Sequence, residues 1–242
     1  MGVLRPMITR TLLLSAALVV APQAMAEHGP IEKPADDPSS TVAFTPELKH
    51  ALADADPGRG AQLSQSKMCA ACHGNNGVSW SGQWPSLAGQ PAEYTYKMLV
   101  DYAEGDRAQT KRAYMMHTLA TELTRQDMLD LSVFYANFDL PPASEEDLDY
   151  SQNAVALVRD GDGERLIAPC ASCHRNLGQG QKYDIPALAG QQVDYFIKTM
   201  QDYADGSRSN DVYARMRVIA AALTDEEIRE LAHYYATLDG NR

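Results

Sequence analysis

The chain carries one stretch of about a hundred residues twice. From its first cysteine, CAACHGNNGVSWSGQWPSLAGQPAEYTYKMLVDYAEG runs alongside CASCHRNLGQGQKYDIPALAGQQVDYFIKTMQDYADG at a constant offset of 101. That offset pairs Cys69 with Cys170, His73 with His174, Pro85 with Pro186, Tyr94 with Tyr195 and Asp101 with Asp202. One deletion later the offset is 100, and MHTLATELTRQDMLDLSVFYANF accompanies MRVIAAALTDEEIRELAHYYATL. A period this long is wrong for a solenoid and reads as tandem duplication of a domain. Two units of roughly 100 residues fit a chain of 242 and the common size of a domain.

LPPASEEDLD, Leu140 to Asp149, marks the boundary, because its prolines break helices and its acids favour water. We therefore expect domains over residues 45–140 and 149–242, joined by a linker at 141–148. Residues 27–44, polar and rich in proline, read as a flexible leader. Ahead of them Arg5 and Arg10 precede an apolar run from Leu12 to Val20, and Ala24-Met25-Ala26 offers small residues for cleavage, so residues 1–26 read as a secretory signal peptide. The alternative, an uncleaved anchor, meets an apolar run shorter than the roughly 20 residues needed to span a bilayer. Cleavage after Ala26 removes two arginines and no acids, taking the net charge from -11 to -13. So acidic a surface disfavours nucleic acid and anionic membrane as partners.

Within each copy the signals are helical. Thr224 with Glu227 has capping-box spacing, Thr124 with Asp127 is a variant of it, and each opens an apolar-periodic segment ending near Leu238 or Phe138. PAEYTYKMLVDYAEG and QQVDYFIKTMQDYADG read as amphipathic helices closed by Gly105 and Gly206. A short helix ending in the cysteine motif is expected to begin around Pro57 or Asp160. No alternating strand pattern of useful length occurs, so the fold class is all-α, with three or four helices per domain.

All four cysteines lie in two CxxCH elements, Cys69-Ala-Ala-Cys72-His73 and Cys170-Ala-Ser-Cys173-His174, which leaves none for a structural disulfide. A shared zinc site would have to bridge two separate cores, since zinc ribbons keep their CxxC pairs about 15 to 20 residues apart. A thioredoxin-like dithiol needs a βαβ setting and leaves the adjacent histidine unexplained. Attachment of c-type haem accounts for every part: two sulfurs on one helical turn become thioethers to the haem vinyl groups, and the next residue is a histidine positioned for the iron.

With P-x-L-A-G-Q downstream of each CxxCH, and tails reading YAEG … MM … LTRQDM and YADG … RM … LTDEEI, residues 45–242 resemble the dihaem cytochromes c4, tandem class I cytochromes c of the bacterial periplasm. The resemblance implies two domains, each wrapped around one covalently bound haem c, with His73 and His174 as proximal ligands. It also implies a methionine opposite each histidine. Met116 and Met216 each lie seven residues before an aligned leucine, Leu123 or Leu223, and are the matching candidates. Met115 and His117 flank Met116 as rivals, whereas Met98, Met128 and Met200, unmatched between copies, read as core packing. Pro85 and Pro186, each 12 residues after its histidine, match the prolines whose carbonyl accepts the imidazole N–H in class I cytochromes. Tyr102, Tyr203, Tyr135 and Tyr235 read as packing residues, the alternative being that they wall the haem or bond a propionate. Arg107 and Arg208, matched across the copies, suit either haem propionates or solvent.

Closed His/Met coordination leaves no place for a substrate, so the expected function is that of a periplasmic carrier of single electrons rather than an enzyme. The family implies a quinol-oxidising complex as donor and a haem-copper terminal oxidase as acceptor, and leaves peripheral association with the membrane open. The alternatives are the electron-transfer subunit of a larger dehydrogenase, or a dihaem redox enzyme of peroxidase or thiosulfate dehydrogenase type.

Overall fold

The computed structural model describes residues 1–2 and 40–241. The expected signal peptide, apart from its first two residues, and the leader up to residue 39 lie outside the described residues. The first copy comprises α1 (Pro46–Ala53), α2 (Pro57–Ser66), α3 (Cys69–His73), α4 (Ala92–Glu104), α5 (Lys111–Ala120) and α6 (Arg125–Ala136). The second comprises α7 (Gln152–Arg159), α8 (Cys170–His174), α9 (Val193–Ala204), α10 (Arg215–Ala222) and α11 (Asp225–Ala236). Among the described residues two isolated β-bridges, Asp162 with Ile167 and Gln181 with Ile185, are the sole extended pairings.

Local chemistry explains the starts of these helices. Thr45 and Asp56 cap α1 and α2 with their side-chain oxygens, and each is followed by a proline at the first helical position, where a missing N–H costs nothing. Thr124 and Thr224 both form complete capping boxes, with Asp127 and Glu227 returning a bond to the cap's own N–H. The aspartate is shorter than the usual glutamate and still closes the box.

Each copy has its own core. In the first, α2 packs on α6 and α4 on α5 and α6, enclosing Leu48, Tyr96, Val100, Met128 and Leu129. In the second, α9 packs on α10 and α11 and α7 on α11, enclosing Leu157, Phe196, Met200, Ile228, Leu231 and Tyr235.

Three features differ from the sequence reading. Among the described residues each copy has more helices than expected, because the CxxCH element is a short helix of its own and, in the first copy, α1 precedes α2. Met68 adopts a left-handed conformation at φ 60° and separates α2 from α3, while in the second copy α7 ends at Arg159 and a loop closed by the Asp162–Ile167 bridge leads into α8. Asp160 thus ends a helix instead of opening one. The segment expected to be leader also packs at its end: Val42–Phe44 forms a 3-10 turn, Ala43 is buried, and Phe44 stacks on Tyr183 of the second copy at 5.2 Å. Finally, the linker begins buried. Gly89 and Gly190 take left-handed conformations that place backbone where an added Cβ would strike Leu140 and Pro141 respectively, so both LAGQ loops rest on the start of the linker.

Candidate functional site

The two copies face one another across a cavity of about 450 Å³ that both CxxCH elements line. All four cysteines reach it and none forms a disulfide. Burial pushes the Cys69 thiol up and the Cys170 thiol to about 11, so neither behaves as a reactive thiolate.

His73 closes α3 and His174 closes α8, and each is buried against the cavity. His73 Nδ1 lies 2.8 Å from the Pro85 carbonyl oxygen and His174 Nδ1 lies 2.9 Å from that of Pro186. A carbonyl only accepts, so each Nδ1 carries its proton and donates, which leaves the lone pair on Nε2. Burial lowers both imidazole pKa values despite the opposing pull of these carbonyls, favouring the neutral ring that metal ligation requires.

α5 and α10 bring Met116 and Met216 to the same cavity. The run Met115-Met116-His117 separates by direction. His117 turns its Nδ1 to within 2.6 Å of the Tyr102 carbonyl oxygen and does not line the cavity, whereas Met115 lines it but is 48% exposed.

Where the copies meet, Arg107 and Arg208 are both buried, which overturns the solvent-facing alternative for this pair. Arg107 contacts the Met98 sulfur and the Tyr195 hydroxyl, each at 3.3 Å. Arg208 donates to the Asn210 side-chain oxygen at 2.9 Å and stacks over the Tyr203 ring. Burial holds the Tyr102 phenol up to about 12. At Tyr195 burial acts in the same direction, but Arg107 and Arg208 outweigh it and bring that phenol down to about 7. Met98, expected to be a packing residue, sits between these guanidinium groups with its sulfur as a weak acceptor. Tyr102 and Tyr203 likewise wall the cavity, as do Tyr135 and Tyr235.

These residues fit two haem c groups. Two buried guanidinium groups lining the cavity suit the propionates that each haem carries. The paired cysteines, the Nε2 lone pairs and the cavity-lining thioethers are groups of the kinds that would attach a haem c and ligate its iron.

Sequence reasoning missed the side chains that join the copies. Gln90 and Gln191, the last residues of the repeated LAGQ, each make two hydrogen bonds to the opposite copy's backbone. Lys97, Asp101 and Asn210 form a second buried network across the junction. The repeat itself carried the signal for the glutamines.

The sequence profile of the cytochrome c family matches residues 58–137 and again 161–239. Cytochrome c4 of Thiocapsa roseopersicina is 34% identical over 181 residues, covering 74% of this chain and 91% of that protein. The crystal structure of reduced recombinant cytochrome c4 from Pseudomonas stutzeri superposes with a TM-score of 0.68 at 27% identity, covering 76% of this chain and 99% of that one. A thiosulfate dehydrogenase electron acceptor of Stutzerimonas stutzeri (strain A1501) is 30% identical over 173 residues, covering 70% of this chain and 78% of its own length.

Proposed function

Because the chain belongs to the dihaem cytochrome c4 family, we propose that it works in the periplasm as a carrier of single electrons between a quinol-oxidising donor and a haem-copper terminal oxidase. The two haem c groups supply reversible one-electron chemistry, and the rest of the task falls to the chain. Cys69, Cys72, Cys170 and Cys173 hold the groups covalently. His73 with Met116, and His174 with Met216, serve as axial ligands within domains spanning residues 45–140 and 149–242.

One observation carries this reading: in each copy a buried neutral imidazole and a methionine thioether line the same cavity. A sulfur ligand opposite histidine raises the potential and closes the coordination sphere, which suits outer-sphere exchange and leaves no side chain in need of acid or base work. Export rests on the sequence of residues 1–26. Among the described residues no helix is long and apolar enough to cross a membrane.

A potentiometric titration of the purified protein with optical detection tests the reading, because it reports haem number, ligand type and potentials together. Two low-spin His/Met haems are expected; a high-spin or bis-histidine spectrum in either copy would overturn it. In the oxidised full chain, the near-infrared band of methionine-to-ferric ligation should fall by half in Met116→Leu and stay whole in Met115→Leu and His117→Gln. The similarity to a thiosulfate dehydrogenase electron acceptor favours a second reading, in which the donor is a thiosulfate dehydrogenase and not a quinol-oxidising complex. Reduction of the purified protein by a thiosulfate dehydrogenase, compared with reduction by a quinol-oxidising complex, separates the two.

A further inference from the structure

The two glutamines at the junction contact the parts of the chain that aim the histidines. Gln191 of the second copy receives the Ser86 N–H on its Oε1 at 2.8 Å and returns a bond from Nε2 to the Ser86 carbonyl at 3.0 Å. Gln90 of the first copy does the same to Ala187, accepting from its N–H at 2.9 Å and donating to its carbonyl at 2.9 Å. Ser86 and Ala187 are equivalent positions in the repeat, so the clasp is reciprocal. All four residues are buried. The amide orientation is not arbitrary, since in each case one end must meet an N–H and the other a carbonyl oxygen.

The N–H of Ser86 belongs to the same peptide unit as the carbonyl of Pro85, which accepts from His73 Nδ1. The N–H of Ala187 likewise shares a peptide unit with the Pro186 carbonyl that accepts from His174. A continuous line therefore runs from Gln191 through one peptide to His73, and from Gln90 through another to His174. An acceptor on the N–H of a peptide draws its electrons toward the carbonyl and makes that oxygen a better acceptor, a cooperative strengthening of roughly 10–30% per bond. A stronger acceptor at Nδ1–H makes the imidazole a stronger donor from Nε2.

We propose that Gln90 and Gln191 are positioning residues that act across the junction, each orienting and polarising the proximal histidine of the opposite copy. Gln191 sets the donor strength of His73, and Gln90 sets that of His174. The two redox centres are thereby tuned by each other's domain without any shared ligand. The idea rests on His73 and His174 being haem ligands.

The test is a haem-resolved redox titration of the intact dihaem protein, with NMR signals assigning each midpoint to its copy. In Gln191→Leu the first copy's midpoint should rise, because a weaker imidazole donor stabilises the ferric state less, and the second copy's should stay. Gln90→Leu should do the reverse. The His73 Nδ1–H resonance should move upfield in Gln191→Leu, reporting a weaker hydrogen bond. Gln191→Glu keeps an acceptor for the Ser86 N–H while losing the return bond, so the first copy's midpoint should stay at or below that of the unaltered protein. This second variant decides the matter even where the leucine variant folds poorly. Midpoints that shift in the mutated residue's own copy, that do not shift, or that fall in both copies through opening of the junction to water would each overturn the proposal. Failure of the haem-ligand reading would show separately in the same experiment, as a wrong haem count or a spectrum without His/Met ligation.

Discussion

α4 and α9 carry the same ion pair at the same register, and the fold treats the two pairs in opposite ways. Lys97 and Asp101 are 1% and 0% exposed, the ammonium also donates to the Asn210 carbonyl at 2.8 Å, and the Asn210 amide donates to Asp101 at 2.6 Å. Lys198, the counterpart of Lys97, is 48% exposed, while Asp202 keeps a bond to Ser207 and lies 4.0 Å from Arg112. The helices are alike, so the difference comes from what the other copy presents. The second copy's Asn210 reaches over α4 with both backbone and side chain, whereas toward α9 the first copy extends Arg112, which approaches Asp202 and leaves Lys198 exposed. Duplication preserved the elements, and the junction between them made their environments unequal.

The largest expected effect checks how far the copies remain independent. Cys69→Ser with Cys72→Ser should lower the intact mass by one haem, and Cys170→Ser with Cys173→Ser should lower it by one as well. Loss of both haems from either double variant would show that one copy cannot load its cofactor without the other.

The buried pair gives the next effect. Burial pushes Asp101 up to about 6 from 3.8, against the pull of Lys97 and Asn210, and Asp106 adds to the rise. Between those values the folded chain holds a proton on this carboxyl that the unfolded chain has released, so stability falls as the pH is raised from about 4 to 6. At about 1.4 kcal/mol per pH unit the loss is roughly 3 kcal/mol. Asp101→Asn should flatten this part of the stability profile measured by denaturant unfolding, and Asp202→Asn should leave it in place. Equal behaviour of the two variants would erase the distinction between the pairs.

A third comparison concerns how the helix before each CxxCH meets the last helix of its copy. α2 crosses α6 at Gly60, where an added Cβ would lie 2.2 Å from the Asp130 carbonyl oxygen. In the second copy Ala154 of α7 is buried in the core with its methyl accommodated. Gly60→Ala should therefore destabilise by about 1–3 kcal/mol through overpacking, and Ala154→Gly by about 1 kcal/mol through backbone entropy. Calorimetry that resolves two transitions would assign each loss to its own copy.

What could be read beforehand was whatever is local or repeated. The capping boxes, the CxxCH elements and the proline 12 residues on need only short spacings to be recognised. The left-handed Met68 was hidden because methionine gives no signal for positive φ. Arg107 and Arg208 were repeated, yet nothing in one strand of sequence says that two copies will bury them against each other. Met98 illustrates the same limit: unmatched between copies, it looked like packing, and its place between two guanidinium groups exists only once the domains dock. Arg59 and Arg165 stand at different points of the repeat, yet they bind the equivalent capping-box carboxylates Asp127 and Glu227. Alignment alone therefore does not pair them.

The smallest expected difference lies in the last helices, where Tyr135 and Tyr235 are aligned and both almost wholly buried. Tyr135 exchanges a hydrogen bond of 2.8 Å with Ser64 on α2. The Tyr235 hydroxyl, surrounded by the second core, has only the weak Cys170 sulfur beside it, because the loop that replaces the end of α2 in that copy brings no serine to it. A satisfied buried hydroxyl contributes about 1 kcal/mol net, whereas an unsatisfied one carries its desolvation cost without return. Tyr135→Phe should thus destabilise by about 1 kcal/mol and leave the Ser64 hydroxyl stranded, while Tyr235→Phe should be neutral or stabilising. Chemical denaturation of the two single variants suffices to compare them. Equal losses would mean that Tyr235 finds a partner in the loaded protein, and the aligned tyrosines would then be equivalent after all.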